Sequence, residues 1–294
     1  MTGLDLCRSL LGQYGAAEPA LWRPAPEPIR KSSLGPAAGH VFVVGFPRSG
    51  TSLLEQALAG HPDIVTLEEK PTLTPAIDAY LDPPVNIDAL TEMDAAAADH
   101  WRAAYWDRVQ AHGVAVEGKV FIDKQPFYTF WLPLIGKLFP QARVVVVRRD
   151  PRDVVLSCLR NPFRMTPLTY DLMDLERSAR LYAAAMDILE LCMRHCGAPV
   201  FAYRHEDLVG HFQAIAADLC AFLGLDWSER ILGFASTAKA RDIRTPSAGQ
   251  VERGLNRDGI GVWRRYGDAL APVLPILEPV ALRYGYPPCA EAEA

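Results

Sequence analysis

Short apolar runs alternate with segments of helical period along most of this chain. VFVVGF at 41–46 is bounded by turn residues, the pattern of a strand buried on both faces of a parallel sheet. PRSG then leads into TSLLEQALAG, where Leu53, Leu54, Ala57 and Leu58 share one helical face and Gly60 is a stop. KVFID (119–123) predicts another strand, followed by an apolar helical run over 126–139, and VVVV (144–147) a further buried strand. Beyond it, Asp150 reads as an N-cap, Pro151 as the first helical residue and Asp153 as an acid in the first turn. Residues 171–196 predict a long helix ended by Gly197, PVFAYRHEDL a strand and turn, and 206–223 a helix.

Strands alternating with helices imply an α/β fold of the P-loop type: one domain, three layers (α/β/α), a central and mostly parallel sheet. The first residues hold a short helical candidate and then a stretch crowded with proline and glycine. The expected division is therefore an N-terminal arm or linker over 1–39, the main domain over 40–288 and a tail over 289–294. A polar stretch at 236–262 precedes a resumed helical pattern at WRRYGDALAPVLPIL; a loop of that length inside a domain is more often functional than idle.

Composition narrows the classes. Of 294 residues, 50% are apolar and 22% charged, enough for a substantial core and unlike a disordered chain. The net charge of −5 argues against a partner held by the charge of nucleic acid, so any anion site must be local. Six scattered cysteines are unlike the framework of a small secreted domain. No basic-then-apolar leader opens the sequence and no apolar run approaches a membrane span, so the expectation is a cytoplasmic protein without membrane association.

GFPRSGTS (45–52) sets two glycines five apart between a strand and a helix, where loop N–H groups and the helix N-terminus converge on one anion. A nucleoside triphosphatase places lysine after the second glycine, to reach the β- and γ-phosphates beside Mg²⁺. Here Thr51 takes that slot and the basic residue is Arg48, inside the loop. Such a loop suits one phosphate without a metal ion. RRDPRDVVLSCLR (148–160) writes a second anion site: Arg149 falls at a strand's C-terminal end, and Ser157 lies one turn beyond Asp153 on the next helix. Arg148, Arg152 and Arg160 add positive potential, although for Arg152 a pairing with the adjacent aspartates is the simpler reading. Two separated phosphate sites on one sheet ask for a nucleotide phosphorylated at both ends.

FVVGFPRSGTSLLEQALAGHPDIVTLEE resembles the 5′-phosphosulfate loop of sulfotransferases, and RVVVVRRDPRDVVLSCLR their 3′-phosphate motif. The resemblance runs over about 40–285 and is nearest to bacterial sulfotransferases related to the protein-tyrosine type. It implies 3′-phosphoadenosine 5′-phosphosulfate as donor, the 3′,5′-bisphosphate as product, and no metal. Pro47, Arg48, Ser49, Gly50, Thr51 and Ser52 match the loop around the 5′-phosphosulfate, and Arg149 and Ser157 the grip on the 3′-phosphate. Ser247, Gln250 and Val251, with Arg253 and Asn256, match a loop over the adenine. Lys124 in FIDKQP matches a lysine near the leaving oxygen; pairing with Asp123 is its alternative reading. The general base of the tyrosine-type relatives aligns with Glu69, and Glu68 reads better as a solvated loop acid. The side-by-side pair also makes physical sense, since burial and like charge raise a carboxyl pKa toward a useful value.

Where many relatives carry a basic residue before the tryptophan of WRRY, this chain has Val262, and Arg264 or Arg265 is the substitute. His205 reads as a core histidine or an adenosine contact. The acceptor is a hydroxyl compound, small molecule or tyrosyl peptide, with loops near 70–115 and 160–175 (Phe163, Met165, Tyr170) lining its cleft. A homodimer stays open. The rival reading is a P-loop kinase or NTPase-like nucleotide-binding protein.

Overall fold

The computed structural model describes residues 1–26, 35–81, 85–234 and 255–289. Its centre is a five-stranded sheet of β1 (Gly39–Val44), β2 (Ile64–Glu68), β3 (Val120–Lys124), β4 (Arg143–Arg148) and β5 (Val200–Arg204). The order is β2-β3-β1-β4-β5 and every pairing is parallel. β1 is therefore the middle strand, with later strands added on either side. In such sheets ligands sit beyond the carboxyl ends, where the strand order reverses.

Alternation along the strands builds two separate cores. Phe42, Val44, Phe121, Val144 and Val146 face one layer, while Val41, Val43, Ile122, Val145 and Val147 face the other. The first layer holds α1 (Gly3–Ala16), α5 (Ala95–Ala111), α6 (Leu132–Leu138), α7 (Pro151–Leu159) and α9 (Leu175–His195). The second holds α2 (Thr51–Leu58) with α10 (His205–Gly210) and α11 (Phe212–Leu223). This is the three-layer α/β architecture that the sequence predicts. Among the described residues no helix is long and apolar enough to cross a membrane.

Several local expectations need correction. HPDIVTLEE is not all loop: Ile64–Glu68 forms the edge strand β2, paired along its length with β3. The region 70–115, expected to be loop, contains α3 (Thr74–Tyr80), α4 (Ile87–Thr91) and the long α5. The single helix expected over 206–223 is broken into α10 and α11 at His211. The helical run at 126–139 begins as a 3-10 segment, Pro126–Trp131, before α6 (Leu132–Leu138). Pro126 and Pro133 each open one of these segments, where a missing N–H costs nothing.

The 1–39 segment carries α1, capped at Thr2 by a reciprocal bond with Asp5. Cys7, Leu10 and Tyr14 of α1 are fully buried, and the Tyr14 hydroxyl donates to the Phe130 carbonyl at 2.9 Å. Ser247, Gln250, Val251 and Arg253 lie outside the described residues.

Candidate active site

Four strand ends deliver the chemistry. β1 runs into the loop 45–50, which is tied down from below: the Thr129 hydroxyl donates to the Gly45 carbonyl at 2.7 Å, and the Ser49 N–H closes on the Phe46 carbonyl at 3.1 Å. Gly50 has φ 101°, and a Cβ there would overlap the His205 imidazole, so only glycine fits. His205 is thus a buried buttress under the loop, its pKa lowered to about 3 by burial and then by Arg149. Thr51 and Ser52 open α2, whose first N–H groups have no partner within the helix.

Arg48 and Glu69 are the two non-glycine residues, among those described, in the left-handed backbone region, at φ 69° and 48°. Each such conformation costs about 1–3 kcal/mol and persists only where its surroundings enforce it. Both line one cleft of about 710 Å³, together with Pro47, Gly50, Thr51 and Ser52. Ser49 is buried beneath it. Burial lowers the Arg48 pKa; its Nε donates to the Ser157 hydroxyl at 3.0 Å.

Lys124 ends β3 beside Glu68 in the parallel register. It is completely buried, and its Nζ reaches Glu69 Oε1 at 2.7 Å, Glu68 Oε1 at 3.0 Å, Ser52 Oγ at 3.3 Å and Glu55 Oε2 at 3.9 Å. Burial works to lower the lysine pKa, but Glu69, Glu55 and Glu68 together hold it above its ordinary value. Lys124 is therefore not paired with Asp123, which points into the opposite layer and accepts from Thr72 at 2.7 Å and Tyr105 at 2.9 Å. Glu68 is not a solvated loop acid either: its side chain is 17% exposed on a strand, against 36% for Glu69.

Glu55 is the participant that sequence reading missed. It lies on α2, buried, accepting from the Thr66 hydroxyl at 2.7 Å. Burial raises its pKa to about 7, Lys124 opposing and Glu68 adding. The signal was present: Glu55 and Gln56 stand between the apolar pairs Leu53–Leu54 and Ala57–Leu58 of a helix in which every residue is buried.

Beyond β4, Arg149 donates to the Arg48 carbonyl at 2.8 Å and to the Gly259 carbonyl, while its Nε is buried without a partner among the described residues. Arg149 and Ser157 line a second cleft of about 350 Å³ with Arg160, Asn161, Val262 and Arg265. Arg265, not Arg264, thus takes the place beside Val262; Arg264 stands over the Trp263 ring. Asp153 accepts from the N–H groups of Gly261 at 2.6 Å and Trp263 at 2.9 Å, and so hangs this segment on α7. Burial raises the Asp153 pKa to about 6. Arg148 and Arg152 do not add to this cleft. Arg152 is buried, donating two parallel hydrogen bonds to the Asp150 carboxylate under the Trp263 ring, and Arg148 pairs with Glu190 below Tyr284.

The 710 Å³ cleft continues away from the loop between residues 71–77 and 162–169. Phe163 lines it, as expected; Met165 and Tyr170 do not, and are exposed. Residues 85–115 stay outside it, because α5 is engaged with the core: Arg102 donates to the Leu138 carbonyl and Tyr105 to Asp123.

A parallel sheet with a glycine loop, a buried lysine and an arginine at successive strand ends defines a P-loop-like group-transfer fold. The sequence matches the model of the sulfotransferase family over residues 40–229, and the chain belongs to that family. It is 28% identical over 252 residues to an uncharacterized protein of Aquifex aeolicus, covering 83% of this chain but 33% of that protein. It is 24% identical over 266 residues to protein-tyrosine sulfotransferase 1 of Danio rerio, covering 85% of this chain and 73% of the relative. Among solved structures, the sulfotransferase domain from the Synechococcus PCC 7002 olefin synthase superimposes with a TM-score of 0.54 at 20% identity, covering 85% of this chain and 98% of that domain.

Proposed function

We propose that this chain transfers a sulfuryl group from 3′-phosphoadenosine 5′-phosphosulfate to an acceptor hydroxyl, with Glu69 as general base. The observation that carries this reading is the shared cleft of Arg48, Ser52 and Glu69, with Lys124 buried directly behind it. The residues suit such a donor at both ends. The loop 47–52 and the start of α2 would hold the phosphosulfate, and the partnerless Nε of Arg149 beside Ser157 and Arg265 would meet the 3′-phosphate. The donor, when bound, supplies an activated sulfuryl group on a phosphate leaving group.

The chain's own groups do the rest. Lys124 sits 3.3 Å from Ser52 Oγ, so its charge lies against the loop where negative charge grows on the leaving oxygen. The same ammonium binds Glu69 Oε1, orienting the carboxylate and leaving its second oxygen to take the acceptor's proton. Transfer of this kind relies on positioning and charge stabilisation more than on covalent steps. Thr51 in place of the P-loop lysine disfavours a kinase or NTPase.

Calorimetry with 3′,5′-adenosine bisphosphate and with magnesium ATP separates the two readings. The bisphosphate should bind without added metal and magnesium ATP should not. Glu69→Gln should keep bisphosphate affinity and lose about 10²–10⁴-fold in sulfuryl transfer from a radiolabelled donor. Binding of magnesium ATP alone would refute the proposal.

A further inference from the structure

The acceptor end of the large cleft has a wall that the family match over 40–229 does not include. Leu6 of α1 lines it, opposite Ile77, Phe127, Trp131, Phe163 and Leu168. α1 is held at this place by three independent contacts. The Leu4 N–H donates to buried Asp171 Oδ2 at 2.7 Å, Tyr14 bonds to Phe130, and Gly3 packs on the Leu168 backbone so closely that a Cβ would lie 3.0 Å from Leu168 Cα. The helix is thus part of the cleft and not a loose neighbour of it.

Of the polar groups on this lining, the hydroxyls of Tyr128, Thr166 and Thr169 are spent on the protein itself, whereas Thr74 and Gln125 make no side-chain hydrogen bond among the described residues. The Tyr128 hydroxyl meets Thr72 Oγ1 at 2.7 Å and accepts from the Leu73 N–H at 3.2 Å. Thr166 and Thr169 cap one another, and the Thr169 hydroxyl also donates to the Arg164 carbonyl at 2.6 Å. Apart from Arg48 and Glu69 at the reacting end, Arg164 at the exposed rim is the one charged residue of the lining. A sugar brings a hydroxyl on nearly every carbon and an extended peptide brings an amide donor and acceptor with each residue. Seated here, either would bury more polar groups than Thr74 and Gln125 can partner.

We propose that the acceptor is an apolar phenol or alcohol, a single hydroxyl on a hydrocarbon body, and that Leu6, Phe163 and Leu168 select it. This deepens the sulfuryl-transfer reading and rests on it. The hydrocarbon fills the cleft that Leu6 and the 162–169 segment line together with Ile77, Phe127 and Trp131, and aims its hydroxyl at Glu69; the oxygen then forms a bond to sulfur as the donor's phosphate oxygen leaves, its proton passing to Glu69.

The test compares four probes with the radiolabelled donor: naphthol, decanol, maltotriose and a tyrosyl peptide. Naphthol or decanol should exceed maltotriose and the peptide in kcat/KM by about tenfold to a hundredfold, as loss of one or two buried hydrogen bonds implies. Leu6→Asp should lower kcat/KM for naphthol about tenfold or more, through KM, with bisphosphate affinity held within about twofold. Phe163→Ser, outside α1, should do the same and keeps the test open if Leu6→Asp does not fold. Faster turnover of maltotriose or the peptide, with the bisphosphate still bound, overturns the acceptor class and leaves the donor reading standing. An unchanged naphthol KM in both variants overturns the selecting role. Failure to bind the bisphosphate removes the donor reading and this inference together.

Discussion

Glu55→Gln should make this protein more stable at neutral and alkaline pH. The wild-type side chain is buried on α2, one of three carboxylates around Lys124, and burial raises its pKa from 4.5 to about 7. Between those values the folded protein keeps a proton that the unfolded chain has released, so stability falls as pH rises through this window and the full penalty applies above it. At about 1.4 kcal/mol per pH unit the penalty is about 3 kcal/mol. Glutamine has no such proton to lose, and its carbonyl can still accept from the Thr66 hydroxyl that now lies 2.7 Å from Glu55. Urea denaturation should therefore show the variant and the wild type equal near about pH 4.5, diverging to about 3 kcal/mol in favour of the variant near about pH 8. A stability difference that is constant over this range, or that favours the wild type at the alkaline end, would refute the reasoning that burial of the Glu55 carboxylate stores this energy.

Other substitutions probe the remaining parts. Lys124→Met strands three carboxylates without their cation and should cost about 3–5 kcal/mol in urea denaturation, with transfer lost as well. Arg149→Ala should weaken 3′,5′-adenosine bisphosphate by about 1.5–3 kcal/mol in calorimetry; unchanged affinity would take Arg149 out of the nucleotide site. Asp153→Asn sets an amide donor against one of two backbone N–H groups, so the Gly261 and Trp263 amides should exchange faster with solvent. The same two amides should loosen in the wild type as pH falls below about 6, where the Asp153 carboxylate takes up a proton.

What the sequence disclosed and what it concealed divide along a physical line. The apolar runs of β1, β3 and β4 are buried on both faces, so continuous hydrophobicity announces them. β2 lies at the sheet edge with a half-exposed pattern, and IVTLE does not stand out from its loop. Arg149 could be placed because a strand end and an N-cap bracket it. Lys124 could be placed at a strand end, but its partners could not: Glu55, Glu68 and Glu69 converge only once α2 packs on the sheet and β2 pairs with β3. The contribution of α1 was hidden for the same reason, since a short helix before a proline-rich stretch carries no sign of the cleft it closes. Local pattern reports burial; convergence is a property of topology.

That distinction explains where the chain departs from what would stabilise it. Among the described residues, two non-glycine residues are held in left-handed backbone, a buried lysine is surrounded by more acids than it can neutralise, and Arg149 keeps a buried N–H without a partner. Away from these points α1, α5 and α9 are capped by Thr2, Asp94 and Asp174, and Asp123 and Asp171 each accept through one carboxylate oxygen in the core. The left-handed residues, the crowded lysine and Arg149 gather at the carboxyl ends of four adjacent strands, while buried polar atoms without a partner, such as Trp106 Nε1 and Ser178 Oγ, also occur elsewhere among the described residues. At the loop 45–50 and Arg149 the cost is that of a preorganised anion site, whose N–H groups and cations repel or desolvate one another until a charge arrives; the three carboxylates around Lys124 are a different arrangement, holding its ammonium in place. The same reasoning makes Glu55→Gln informative beyond its own energy: a substitution that relieves the crowding should gain stability and lose rate, whereas crowding with no role in transfer would yield the stability alone.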